Sequence, residues 1–175
     1  MKDVTSTSFG LVIAFLLPGL VGFLSLIFWS MTIKEIFTTF LSAESNVGLF
    51  LLVILIALII GLIVTVLRWL IYEHFRSDYL AAKDFAAIGT DEIKLAAFRA
   101  AVDEHYRYHQ FWGGMTIVLP IFVIGWVMNH WNTVSFSKVI FISFLSIVLE
   151  IVIGAAAIEA YKRYVSRARF IMRGE

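Results

Sequence analysis

The sequence contains no cysteine. A chain without thiols forms no disulfide and offers no thiol nucleophile or thiolate metal site, so the enzyme classes that depend on them are excluded. Proline occurs only twice in 175 residues, and charged residues make up only 15 % of the chain. That small charge is almost balanced, with 14 Lys and Arg against 13 Asp and Glu. A nucleic-acid partner is not expected, because the net charge is only +1 and the basic residues sit beside apolar segments rather than on one soluble face. In their place stand hydrophobic residues, 61 % of the chain, with a mean hydropathy of +0.90. Such a composition lies well outside the soluble globular range and describes an integral membrane protein whose first partner is the lipid bilayer.

A bilayer core of about 30 Å requires roughly 20 apolar residues in a helix. Four runs meet that length, at about 9–29, 49–70, 113–131 and 139–161. The first is longer than the apolar core of a signal peptide, is preceded only by Lys2 as a basic residue, and ends in Trp29, Ser30 and Met31, a poor cleavage site, so it reads as a retained span. All Lys and Arg residues except Lys34 and Lys138 fall in the N-terminal segment, between the second and third runs, or after the fourth. By the positive-inside rule both termini and the middle connection of a multi-pass protein are expected in the cytoplasm.

The sequence thus predicts an all-α, polytopic fold, one membrane domain over 1–175. At 32–41, Ile33, Ile36, Phe37, Phe40 and Leu41 share one stripe while Lys34, Glu35 and Thr38 lie off it, which predicts an interfacial helix on the outer surface. The connection 73–110 reads as a helical hairpin extending spans 2 and 3 into the cytoplasm. Phe75, Tyr79, Ala82 and Ala86 mark one arm; Leu95, Phe98, Val102 and Tyr106 mark the other. Gly89 and Thr90 supply the C-cap and N-cap between them. A basic tail, 162–175, follows the fourth span and can hold anionic lipid. Laying Pro18 on Pro120 also aligns Phe9 with Phe111, Leu17 with Leu119 and Trp29 with Trp131, a faint parallel repeat.

Glu150 stands in the middle of the fourth run, where a carboxylate costs about 3 kcal/mol on insertion scales. Ser143, Ser146, Glu150 and Gly154 share a stripe on the same helix, so Glu150 lies with the small and polar residues rather than the bulky ones. Two readings are open: a pore or proton site, or a protonated carboxyl bonded to a neighbouring helix. On the first span Gly10, Ala14, Pro18 and Gly22 form a small-residue seam for close helix approach. At the inner face Arg68, Glu73 and His74 close the second span, while Glu104, His105, Arg107 and His109 open the third. His105 and His109, four residues apart, share a face and with His74 could ligate a metal; anchoring at the headgroup level is the stronger reading, and no metal or other cofactor is expected.

The segments "FGLVIAFLLPGLVGF", "VLRWLIYEHF" and "EHYRYHQFWGGM" resemble a group of small bacterial four-span inner-membrane proteins that carry an LLPGF-type first span and an HYRYYQFY-type segment before a later span. Here Leu20 stands where the group has phenylalanine, and His109 and Trp112 each replace a tyrosine. The resemblance covers about the first two thirds of the chain, leaves the Glu150 helix outside it and names no activity. It implies a bacterial membrane protein, an accessory or effector of the kind found in small operons, including anti-phage ones. The function expected first is an oligomeric channel or pore-forming effector with Glu150 on the conduction face and the hairpin sensing a signal. A scaffold recruiting a cytoplasmic protein partner and a small proton-coupled transporter are the alternatives. A metal-dependent membrane enzyme ranks last, because no HExxH, DxD or nucleophile elbow is present.

Overall fold

In the computed structural model the described residues are 10, 12–42, 47–74 and 91–173. Among them every regular element is helical. A π-helical turn, Val12–Leu16, leads into α1 (Leu17–Leu26); α2 (Met31–Leu41) follows after a short turn. α3 (Val47–Arg68) continues as a π turn, Trp69–His74. On the far side of the segment 75–90, α4 (Glu92–Ala101) passes through a third π turn, Val102–Tyr106, into α5 (Arg107–His130), and α6 (Phe136–Arg173) ends the fold.

Among the described residues three helices are long and apolar enough to cross a membrane, Val47–Tyr72, Arg107–His130 and Phe136–Met172, and up to four if the bent pair Ala14–Leu26 and Met31–Phe40 counts as one span. That pair is bent by 116°. The break falls where Ser30 turns extended and its hydroxyl accepts from the Ile33 amide, capping α2. Ile33, Ile36, Phe37 and Phe40 are half-buried while Lys34, Glu35 and Thr38 are exposed, and the Phe37 ring meets Phe23 of α1 edge-on at 6.5 Å. The apolar stripe of α2 thus turns toward α1. Leu41's side chain lies outside the described residues.

Close backbone approach binds the first three long elements. α3 buries Val53, Ala57, Gly61, Val64 and Arg68, a single stripe at spacings of four and three. A Cβ on Gly19 would fall on the Ala57 carbonyl, and one on Gly61 on the Phe15 carbonyl, so only glycine lets these two helices cross there. α5 also meets α1 closely: a Cβ on Gly114 would lie 3.1 Å from Pro18, and one on Gly22 would lie 3.4 Å from Val118. At the end carrying the 131–135 turn, the Asn129 amide donates to the Phe28 and Gly125 carbonyls at 3.0 and 2.9 Å, fastening α5 to the end of α1.

α6 has 38 residues, about 57 Å at 1.5 Å per residue, nearly twice the hydrocarbon thickness. Its final third packs on α4: Tyr161, Tyr164, Val165, Ala168 and Met172 form a small core with Phe98, Val102 and Tyr106. The basic segment that follows the fourth span is therefore helix as far as Arg173. Of the hairpin, only the second arm is described, and Leu95 is exposed on it. Phe75, Tyr79, Ala82, Ala86, Gly89 and Thr90 lie outside the described residues. The cap of α4 is Asp91, one residue beyond the expected Thr90; its carboxylate accepts from the Ile93 and Lys94 amides at 3.0 and 3.1 Å.

Candidate functional site

α5 and α6 run antiparallel from the turn at 131–135, and between them lies a groove of about 370 Å³. Leu119, Pro120, Val123, Ile124, Val127 and Met128 form one wall; Ser143, Ser146, Ile147, Leu149 and Glu150 form the other. Glu150 and Pro120 mark the end farther from the turn, Met128 and Ser143 the nearer. The groove is thus a half-length path that stops at the carboxyl. Among the described residues Glu150 receives no hydrogen bond. The Ser146 hydroxyl is turned back on its own helix, donating to the Ile142 carbonyl at 2.8 Å. Pro120 has no N–H to give the Thr116 carbonyl, so a main-chain acceptor is released one turn beyond the groove. Gly154 does not line the groove; a Cβ there would meet only the Thr116 methyl, at 3.9 Å, an ordinary contact.

Past the Glu150 end of the groove a buried polar layer begins. The Thr116 hydroxyl donates to the Gly113 carbonyl at 2.8 Å and lies 2.9 Å from the Tyr72 hydroxyl. Since the carbonyl takes the threonine proton, Tyr72 is the donor in that second bond. His109, completely buried, donates from Nδ1 to the Ala157 carbonyl at 2.9 Å. A carbonyl can only accept, which fixes the proton on Nδ1. Tyrosine rings enclose the imidazole: Tyr161 at 4.8 Å, Tyr72 edge-on at 5.9 Å and Tyr106 at 6.1 Å between centroids. Arg68 is 1 % exposed, its guanidinium 5.6 Å above the Tyr106 ring. Its stem crosses Gly113, where a Cβ would lie 2.9 Å from Cγ and Cδ.

The residues singled out in the sequence thus fall into separate places. Ser143, Ser146 and Glu150 share the groove. Arg68 and His109 share the buried layer, joined by Tyr106 of the expected hairpin arm and by Tyr72, Thr116 and Tyr161, which the sequence did not single out. Arg107 lies against Gly10, at the start of the first span. Pro18 and Gly22 face α5, with Gly22 also against α3, while Ala14 is buried. The tighter crossing belongs to Gly19 and Gly61, which the seam omitted although Ala57 and Gly61 are four apart. His105 parts from His109 and lines a second groove, with Lys162, Arg163, Ser166 and Arg167. The π turn at Val102–Tyr106 widens the helix just before Arg107, so a spacing of four no longer places two side chains in one environment. The side chains of Glu73, His74 and Glu104 lie outside the described residues. Among the described residues no group of three His, Asp or Glu converges as a metal ligand set.

Together these features define a multi-pass α-helical membrane protein with a carboxyl at mid-helix. Comparison with protein-family models, curated proteins and solved structures found no match.

Proposed function

We propose that the protein is an oligomeric membrane channel in which the α5/α6 groove faces the symmetry axis and Glu150 forms a ring of carboxyls on the conduction path. The observation that carries this reading is that Glu150 lines an outward-opening groove with no hydrogen-bond partner among the described residues. A carboxyl left against acyl chains costs about 3 kcal/mol, and packing several copies around the groove relieves that cost. Only 11 % of the membrane window of α6 is buried inside the molecule, and among the described residues this helix leans chiefly on α5 through the bilayer. A single bundle of this size is also too thin to enclose a water path, which makes several copies necessary for conduction.

In this reading the basic end of the molecule is cytoplasmic, as the positive-inside rule expects. Ions enter the groove from the opposite side and meet Glu150 at mid-depth. An effector role within a small operon rests on the sequence resemblance alone.

Ion flux from liposomes loaded with purified protein, together with an oligomer count in detergent, tests the proposal. Flux that falls or changes selectivity in Glu150→Gln, from a species larger than a monomer, is the expected result. A monomer with no flux overturns it. The second reading is a proton-coupled carrier, favoured by the apolar walls around a single carboxyl, which suit a lipophilic cation. Proton release on adding tetraphenylphosphonium to the detergent-solubilised protein, absent in Glu150→Gln, would select it.

A further inference from the structure

The second groove is built differently from the first. It holds about 970 Å³ between α4 and the projecting part of α6, with Ala97, Ala100 and His105 on one side and Lys162, Arg163, Ser166 and Arg167 on the other, and Phe170 and Ile171 at the end away from Glu150. Small alanines keep it open. Its walls are fixed from behind, because Tyr164, Val165 and Ala168 on the same stretch of α6 are buried against the face of α4 carrying Phe98. Among the described side chains the acid beside it is Glu159, whose carboxylate takes the Arg163 Nε–H at 2.9 Å. That bond uses one of five guanidinium donors and orients the rest. Lys162 and Arg167 carry no ion pair among the described residues.

Depth decides what can sit there. Lys162 follows Glu150 by twelve residues, roughly 18 Å along a helix axis. With Glu150 near the midplane, that is just beyond the half-core of about 15 Å and at the level of the phosphates. Glu159, held by Arg163, lies at the hydrocarbon side of the groove, and beyond it the exposed surface of α6 continues as Ala155, Val152 and Val148. A cationic hollow at phosphate depth, opening onto an apolar track, matches a molecule with an anionic head and acyl chains. A soluble anion would use the hollow and leave the track unused.

We infer that this groove is a binding site for an anionic phospholipid, its phosphate held by Lys162 and Arg167 and flanked by Arg163 and Ser166, with the acyl chains along α6. The inference stands apart from the channel reading and does not need it. Binding here would also brace α4 against α6, since the groove is the open edge of their contact.

Purified full-length protein in a neutral detergent, titrated with phosphatidylglycerol or phosphatidylcholine and examined by native mass spectrometry and thermal unfolding, tests it. Phosphatidylglycerol is expected to stay bound and raise the unfolding temperature, and phosphatidylcholine is not. The double variant Lys162→Gln, Arg167→Gln is expected to weaken retention roughly 10- to 30-fold, whereas Lys162→Arg with Arg167→Lys keeps it. Arg99→Gln, which removes a cation on α4 outside the groove, is expected to leave retention unchanged. Equal loss in Arg99→Gln would mean diffuse surface charge and overturn the site. So would unaltered retention in the double variant, or displacement of the lipid by millimolar inorganic phosphate, which would assign the groove to a soluble anion.

Discussion

The Nδ1–H of His109 is bonded to the main-chain carbonyl of Ala157 at 2.9 Å, joining the start of α5 to α6 in a fully buried setting. Losing the imidazole strands that proton's partner and opens space among Tyr72, Tyr106 and Tyr161. His109→Ala is therefore expected to destabilise the fold by about 2–4 kcal/mol. His109→Asn, whose amide can still donate to the carbonyl, is expected to lose less. Thermal unfolding in detergent ranks the two, and equal losses would show that the bond contributes nothing beyond volume.

Gly113 and Gly154 make a matched pair of opposite expectations. An alanine at 113 would press on the Arg68 stem at 2.9 Å, whereas one at 154 meets its nearest atom at 3.9 Å. Gly113→Ala is expected to cost about 1–3 kcal/mol through overpacking. Gly154→Ala is expected to be neutral or to stabilise by up to about 1 kcal/mol through helix propensity. Side-by-side unfolding curves decide, and a destabilising Gly154→Ala would mean that this face meets another copy closely.

The α1/α3 crossing rests on two glycines whose hydrogens face opposing carbonyls, Gly19 toward Ala57 and Gly61 toward Phe15. Gly61→Val is expected to push the helices apart and cost more than 3 kcal/mol, seen as lost folded yield on gel filtration. Normal yield and unfolding temperature would contradict so close an approach.

Glu150→Leu separates adhesion from conduction. If the carboxyl is carried for conduction, leucine removes a cost of about 3 kcal/mol from the bilayer, so the protein is expected to unfold at higher temperature while flux is lost. A variant that unfolds earlier, with flux retained, would place Glu150 among packing residues. Ser146→Ala is expected to change neither quantity appreciably, because its hydroxyl is spent on its own helix.

At the end carrying the 131–135 turn, Asn129 bridges α5 to the Phe28 carbonyl at 3.0 Å. Asn129→Leu keeps the size but removes both donors and is expected to cost about 1 kcal/mol. A hydrogen-exchange experiment would locate the effect: faster exchange confined to 27–31 is expected, and unchanged rates there would refute the bridge.

Much of the helical framework was legible in one dimension. Uninterrupted apolar runs of sufficient length can satisfy their backbone in a bilayer only as helices, so α3, α5 and α6 follow from composition and length. The stripe of α2 was equally readable, because Ile33, Ile36, Phe37 and Phe40 recur at helical spacing. The α4 cap missed by one residue because Thr90 and Asp91 are both competent acceptors, and the local sequence does not say which will reach the amides.

What the sequence determined by itself is the membrane class, the helical content and the identity of the costly residue, since all three depend on hydropathy summed along the chain. Only the tertiary structure decided that Glu150 ends a groove shared with Pro120, that Arg68 lies buried across Gly113, and that His105 and His109 enter different surroundings. The physical reason is that lipid is as apolar as leucine, so hydrophobicity does not choose which helices pair. Close backbone approach, glycine by glycine, and the register shift of a π turn make that choice, and both act between residues far apart in the chain.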